Sequence, residues 1–188
     1  MSNDILPKVA PIPTIFPASR FANARILIVD DAPFNIKLIA SRLEAAGYKN
    51  IETAFDGLNA LEKTASFKPD VVLLDIMMPH LDGFGYIERI RADKTVAPMP
   101  IIVQTALSDH ASMLRALSCG ADDFLKKPLD MEEINLRVYV HLKRYFMLQD
   151  LDKLHTQAHP ETKMINGIDD SLSPLKTQAE NTTNRAAF

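Results

Sequence analysis

Four short apolar runs in this chain each lead into a polar residue that could do chemistry. Asp30 and Asp31 follow ILIV, Asp75 follows VVLL, Thr105 follows IIVQ, and Lys127 follows FLK. Runs this short, bounded by breakers, read as buried strands of a parallel sheet. The C-terminal ends of such strands share one edge, where ligand chemistry collects. That topology would bring three carboxylates, a hydroxyl and an ammonium to one place. Carboxylates so close repel one another unless a hard divalent cation lies among them, which points to Mg²⁺ and a phosphoryl group. Asp75 is the candidate nucleophile, because a carboxylate can attack phosphorus to form a mixed anhydride. Asp30 and Asp31 would hold the metal with it. Lys127 would set a fixed positive charge against the phosphoryl oxygens, and Thr105 would add a hydroxyl donor.

The elements that must position these groups alternate along the chain. Strands are expected at Ile26–Val29, Ile51–Ala54, Val71–Leu74, Ile101–Gln104 and Asp123–Leu125. Between them, helices are expected at Pro33–Ala46, Leu58–Ser66, Gly83–Ala92 and Ser108–Ser118. The first should bury Ile36, Ile39 and Leu43, and the second Leu58, Leu61 and Ala65. Gly47 is placed to end the first. Five β-α units give a flavodoxin-like, doubly wound five-stranded parallel sheet of order 2-1-3-4-5. An extended C-terminal helix should run from Asp130 to about Ala158, with Met147, Leu151, Leu154 and Ala158 on a 4-3-4 seam that Arg144 weakens.

At 188 residues, 47% of them hydrophobic, the chain has room for one domain with appendages. Residues 1–24, with Pro7, Pro11, Pro13 and Pro17, read as a flexible arm. Residues 25–145 form the domain, 146–159 a helical extension and 160–188 a disordered tail. A net charge of −3 gives no general basic surface for nucleic acid. The single cysteine, Cys119, excludes an internal disulfide and reads as a small buried residue. No run is long enough to span a bilayer and no secretory leader is evident, so a cytoplasmic location is expected. His80, His110, His141, His155 and His159 lack metal-ligand spacing, and His141 reads as exposed or interfacial.

The arrangement resembles the receiver domain of bacterial two-component response regulators, of the chemotaxis-regulator type, over about residues 25–145. The resemblance rests on Val29-Asp30-Asp31, on Asp75 through Gly83 (DIMMPHLDG), on Thr105-Ala106, and on Gly120 through Pro128 (GADDFLKKP). It implies that Asp75 accepts phosphate from a histidine kinase or histidine phosphotransfer protein. It also implies that Asp31 binds Mg²⁺ (or Mn²⁺) directly, Asp30 through water, and that the Met77 main-chain carbonyl is a further ligand. Lys127 is the matching lysine, before a cis Pro128. Thr105 and Phe124 match the switch pair, which biases the face formed by the fourth helix, fifth strand and fifth helix. Met77 and Leu107 match positions flanking the approach of hydrolytic water. Both are apolar, which implies slow autodephosphorylation.

The chain is therefore expected to be no stand-alone enzyme, beyond catalysing its own phosphorylation and slow dephosphorylation. It would signal by contact with a downstream protein, without direct DNA binding or membrane contact. A homodimer through the final helix or the switch face is allowed. The alternative is a receiver fragment controlling a separate or truncated enzymatic output, for example in cyclic-dinucleotide metabolism. A dehalogenase-type phosphatase would need an Asp where Met77 stands, and a dinucleotide site would need a glycine-rich turn after Val29.

Overall fold

The computed structural model describes residues 18–105 and 110–158. Its strands are β1 (Arg25–Val29), β2 (Asn50–Ala54), β3 (Val71–Asp75), β4 (Ile101–Thr105) and β5 (Asp123–Lys126). All pair in parallel in the order β2-β1-β3-β4-β5, so the expected doubly wound sheet is present. The order reverses between β1 and β3. Every residue of β3 and β4 is buried, consistent with central strands covered on both faces. Asp75 and Thr105 are the last residues of their strands, each one residue beyond the strand end expected from the sequence.

The helices are α1 (Ala18–Ala22), α2 (Pro33–Ala45), α3 (Gly57–Phe67), α4 (Gly83–Ala92), α5 (His110–Ser118) and α6 (Met131–Ala158). Their termini follow local chemistry. Pro33 opens α2, where its missing N–H costs nothing. Asp56 caps α3 by accepting from the Asn59 N–H at 2.8 Å, and Asp82 caps α4 by accepting from Gly85 N–H at 2.7 Å. Gly47, at φ 99°, takes the left-handed turn after α2. Asp130 accepts from the N–H groups of Glu132 and Glu133 to start α6.

Two features differ from the sequence expectations. Ala18–Ala22, within the stretch read as a flexible arm, forms a short helix whose Phe21 ring stacks at 4.9 Å on Tyr139. Residues 1–17 of that arm, and the tail from 159 onward, lie outside the described residues. Helix α3 does bury one face, but it is Gly57, Ala60 and Thr64, while Leu58 is 47% exposed and Ala65 is exposed. The reason is close approach. Gly57 N–H donates to the Leu81 carbonyl at 3.0 Å, and Thr64 Oγ1 lies 2.7 Å from Tyr86 Oη inside the fold. Small residues let α3 settle on α4 where leucines would hold it off.

The chain divides into two compact units, residues 1–145 and 146–188. The first holds the sheet. Of the second, the described part is the end of α6, where Met147, Leu148, Leu151 and Leu154 are all exposed.

Candidate functional site at the C-terminal sheet edge

Asp30 sits directly after β1, its N–H still paired with the Ala54 carbonyl at 3.2 Å. It is completely buried. Its carboxylate accepts from the Ala32 N–H at 2.9 Å, from Asn35 Nδ2 at 3.0 Å on each oxygen, and from Lys127 Nζ at 2.9 Å. Asp31 is exposed. Asp75, at the end of β3, is 6% exposed; it accepts from Lys127 Nζ at 2.6 Å and from the Met77 N–H at 3.3 Å. Ligand oxygens of Asp30, Asp31 and Asp75 all lie within 4.8 Å of one another. The sheet edge thus gathers the three carboxylates and the ammonium that the sequence placed at strand ends.

Lys127 is held from both sides. Its N–H donates to the Thr105 carbonyl at 2.8 Å, fastening the β5–α6 connection to the end of β4, and the Lys127–Pro128 peptide is cis. Thr105 is buried and pairs in register with Lys126. Phe124 stands two residues before Lys126, so Thr105 and Phe124 project to the same side of the sheet. Met77 has its main chain at the site, and the residue is 63% exposed. Leu107 lies outside the described residues.

Two carboxylates share one ammonium, and their electrostatics follow from that. Burial pushes the Asp75 carboxyl above the usual carboxylate value; the Lys127 hydrogen bond and charge oppose this, and Asp30 adds to it. For Lys127, burial works to lower the pKa, but hydrogen bonds and charge from Asp75 and Asp30 outweigh it, so the ammonium is raised above its ordinary value. One cation offsets only part of three anionic groups. An all-oxygen donor set carrying excess negative charge at this spacing fits a hard divalent cation such as Mg²⁺.

The β3–α4 loop is locked around this site. Gly83 N–H donates to the Ile76 carbonyl at 2.9 Å. His80, in the left-handed region at φ 64°, brings Nδ1 to 3.1 Å from Asp56 Oδ2. The Asn59 N–H, with further help from His80, holds the Asp56 carboxyl below its ordinary value. Neither this tie nor the Asn35 amide was legible from motif spacing. The available signal for Asn35 was its place in the first turn of the helix after Asp30 and Asp31.

The model of the response regulator receiver domain matches residues 26–139. Among curated proteins, RpaA of Synechocystis sp., a DNA-binding dual master transcriptional regulator, is 39% identical over 64% of this chain and 49% of its own length. Response regulator PleD of Caulobacter vibrioides is 42% identical over 57% of this chain and 24% of its length. The match thus spans half or less of these relatives. Among solved structures, the receiver domain of the Francisella response regulator 1452 superposes with a TM-score of 0.60 at 33% identity, covering 65% of this chain and 98% of that one. CheY4 of Vibrio cholerae gives 0.57 at 30% identity, covering 62% and 98%. With the fold, the sheet-edge site and the match to more than half its length in agreement, the chain belongs to the response regulator receiver domain family.

Proposed function

We propose that this chain is a phosphorylation-dependent switch in which Asp75 accepts a phosphoryl group from a phosphohistidine on a histidine kinase or phosphotransfer protein. The observation that carries this reading is the juxtaposition of Asp30, Asp31 and Asp75 within 4.8 Å, with Lys127 Nζ 2.6 Å from Asp75. A carboxylate oxygen of Asp75 forms the new bond to phosphorus as the phosphorus–nitrogen bond to the donor imidazole breaks, and the imidazole leaves with its electron pair and takes up a proton. Asp30, Asp31, Asp75 and the Met77 carbonyl would hold Mg²⁺, or Mn²⁺ in its place, which when bound neutralises charge on the phosphoryl oxygens. Lys127 leaves its two carboxylates to meet an equatorial phosphoryl oxygen, and the Thr105 hydroxyl donates to another.

The consequence passes to the face made by α5, β5 and α6. Thr105 and Phe124 share a side of the sheet, so a shift of the hydroxyl toward the phosphoryl group frees space for the ring. The output is a protein contact made by that face or by α6. The run of exposed Met147, Leu148, Leu151 and Leu154 favours α6 as the element that meets a second copy or a separate output domain.

Incubation with acetyl phosphate and Mg²⁺, followed by intact mass, tests the central assignment. Wild type should gain one phosphoryl mass and Asp75→Asn none. Equal gain by both proteins, or gain by neither, overturns it.

A further inference from the structure

We infer that Asn35 is a positioning residue of the metal and phosphoryl site, holding Asp30 in place while Lys127 changes partners. This rests on the proposed reading of the site. Asn35 Nδ2 donates to both carboxylate oxygens of Asp30, each at 3.0 Å, across the first turn of α2. The other side-chain donor to Asp30 among the described residues is Lys127, at 2.9 Å, which also holds Asp75. A lysine that turns to a phosphoryl oxygen gives up its bond to Asp30. Without Asn35, this completely buried carboxylate would then keep the Ala32 N–H as its one hydrogen-bond donor among the described residues and would lose its orientation.

The chemistry of the amide suits this task. It is neutral, so it orients Asp30 without reducing the negative charge that attracts a cation. A lysine or arginine at position 35 would compete with the metal, and a serine would offer one donor where two oxygens are to be fixed. Asn35 and Lys127 are also the polar residues lining a cavity of about 280 Å³ whose other walls, including Leu38, Ile39 and Leu129, are apolar. The acceptor, Asp30, is completely buried, and a hydrogen bond to a charged acceptor is stronger out of water. Asn35 therefore acts through Asp30 and touches neither metal nor phosphoryl group itself.

The test uses the full chain and Mn²⁺ alone, with free metal counted by electron paramagnetic resonance, so that no phosphoryl donor enters. Asn35→Leu, of similar size and without donors, should weaken Mn²⁺ binding about tenfold, the loss of a hydrogen bond to a charged group. The same substitution made in a Lys127→Met background should cost more than in wild type, because no side-chain donor to Asp30 then remains. Asn35→Gln, which keeps the amide, should recover part of the affinity. Unchanged affinity in Asn35→Leu, or an equal loss in both backgrounds, overturns the inference while leaving the site assignment intact. Absence of Mn²⁺ binding by wild type overturns the metal site itself, a distinct result.

Discussion

Asp75 and Gln104 are direct register partners across β3 and β4, yet their polar atoms fare differently. Asp75 accepts from Lys127 and from the Met77 N–H. Gln104 is completely buried, and neither its Oε1 nor its Nε2 has a hydrogen-bond partner among the described residues. Such an amide costs the fold about 1–3 kcal/mol in unrecovered desolvation. Gln104→Leu, which keeps the volume and removes both polar atoms, should stabilise the protein by about that amount. Urea unfolding measures it; a destabilised variant would mean that the amide is satisfied in solution.

Backbone proximity at the site makes a second expectation. A Cβ on Gly83 would lie 2.5 Å from the Asp75 carbonyl oxygen and 2.8 Å from the Ile76 Cα, so the backbone carrying Asp75 must move to admit it. Gly83→Ala should cost about 1–3 kcal/mol of stability and slow phosphoryl uptake from acetyl phosphate as well. Gly47→Ala is the comparison. Its Cβ meets nothing within 4 Å, but φ is 99°, so it should lower stability by about 1 kcal/mol and leave uptake unchanged. Equal uptake by both variants would show that the Gly83 contact does not position Asp75.

The strands and the site carboxylates were legible in the sequence because short apolar runs ending in charge leave few other readings. A buried Asp75 or Asp30 needs a partner, and the sheet edge supplies it. Side-chain detail was less legible where size, not polarity, decides packing. Leu58 fits an apolar helix face, yet α3 turns its small residues inward because Gly57 meets the Leu81 backbone. The Asn35 amide and the Gln104 orphan carry no periodicity at all. The face they present depends on register between strands and on the turn after β1, which spacing alone does not give.

At the far end of β5, Asp123 accepts from Arg137 Nη1 and His141 Nε2, each at 2.9 Å, and from its neighbour's N–H on Phe124, also at 2.9 Å; Glu133 shares Arg137. Burial acts to raise this carboxyl, but His141, the Phe124 N–H and Arg137 outweigh it and hold the pKa below the ordinary 3.8. A carboxyl lowered on folding contributes stability above its unfolded pKa and loses that contribution as pH falls through the folded value. In a His141→Gln background, where the imidazole's own titration is absent, Arg137 and the Phe124 N–H remain as partners. Asp123→Asn should then be less stable at pH 7, with the gap narrowing below about pH 4. Thermal unfolding across that range decides it: a gap constant down to pH 3 would mean that the ionised form of Asp123 contributes nothing.

A last expectation is that Met77 sets the lifetime of the proposed aspartyl phosphate. The residue is 63% exposed, its main-chain N–H donates to Asp75, and its side chain has no group able to orient or deprotonate an attacking water. General-base assistance or water positioning is worth about 10²-fold or more in rate where it operates. Its absence predicts slow hydrolysis, while the Lys127 ammonium and the bound cation would still balance the charge of the stored phosphoryl group. Met77→Asn introduces an amide that can hold the water, and it should speed phosphoryl loss without changing metal-free stability by more than about 0.5 kcal/mol at so exposed a position. Following the phosphorylated mass after removal of acetyl phosphate measures both proteins. Loss from wild type within seconds, or identical decay in Met77→Asn, would place control of the lifetime elsewhere in the site.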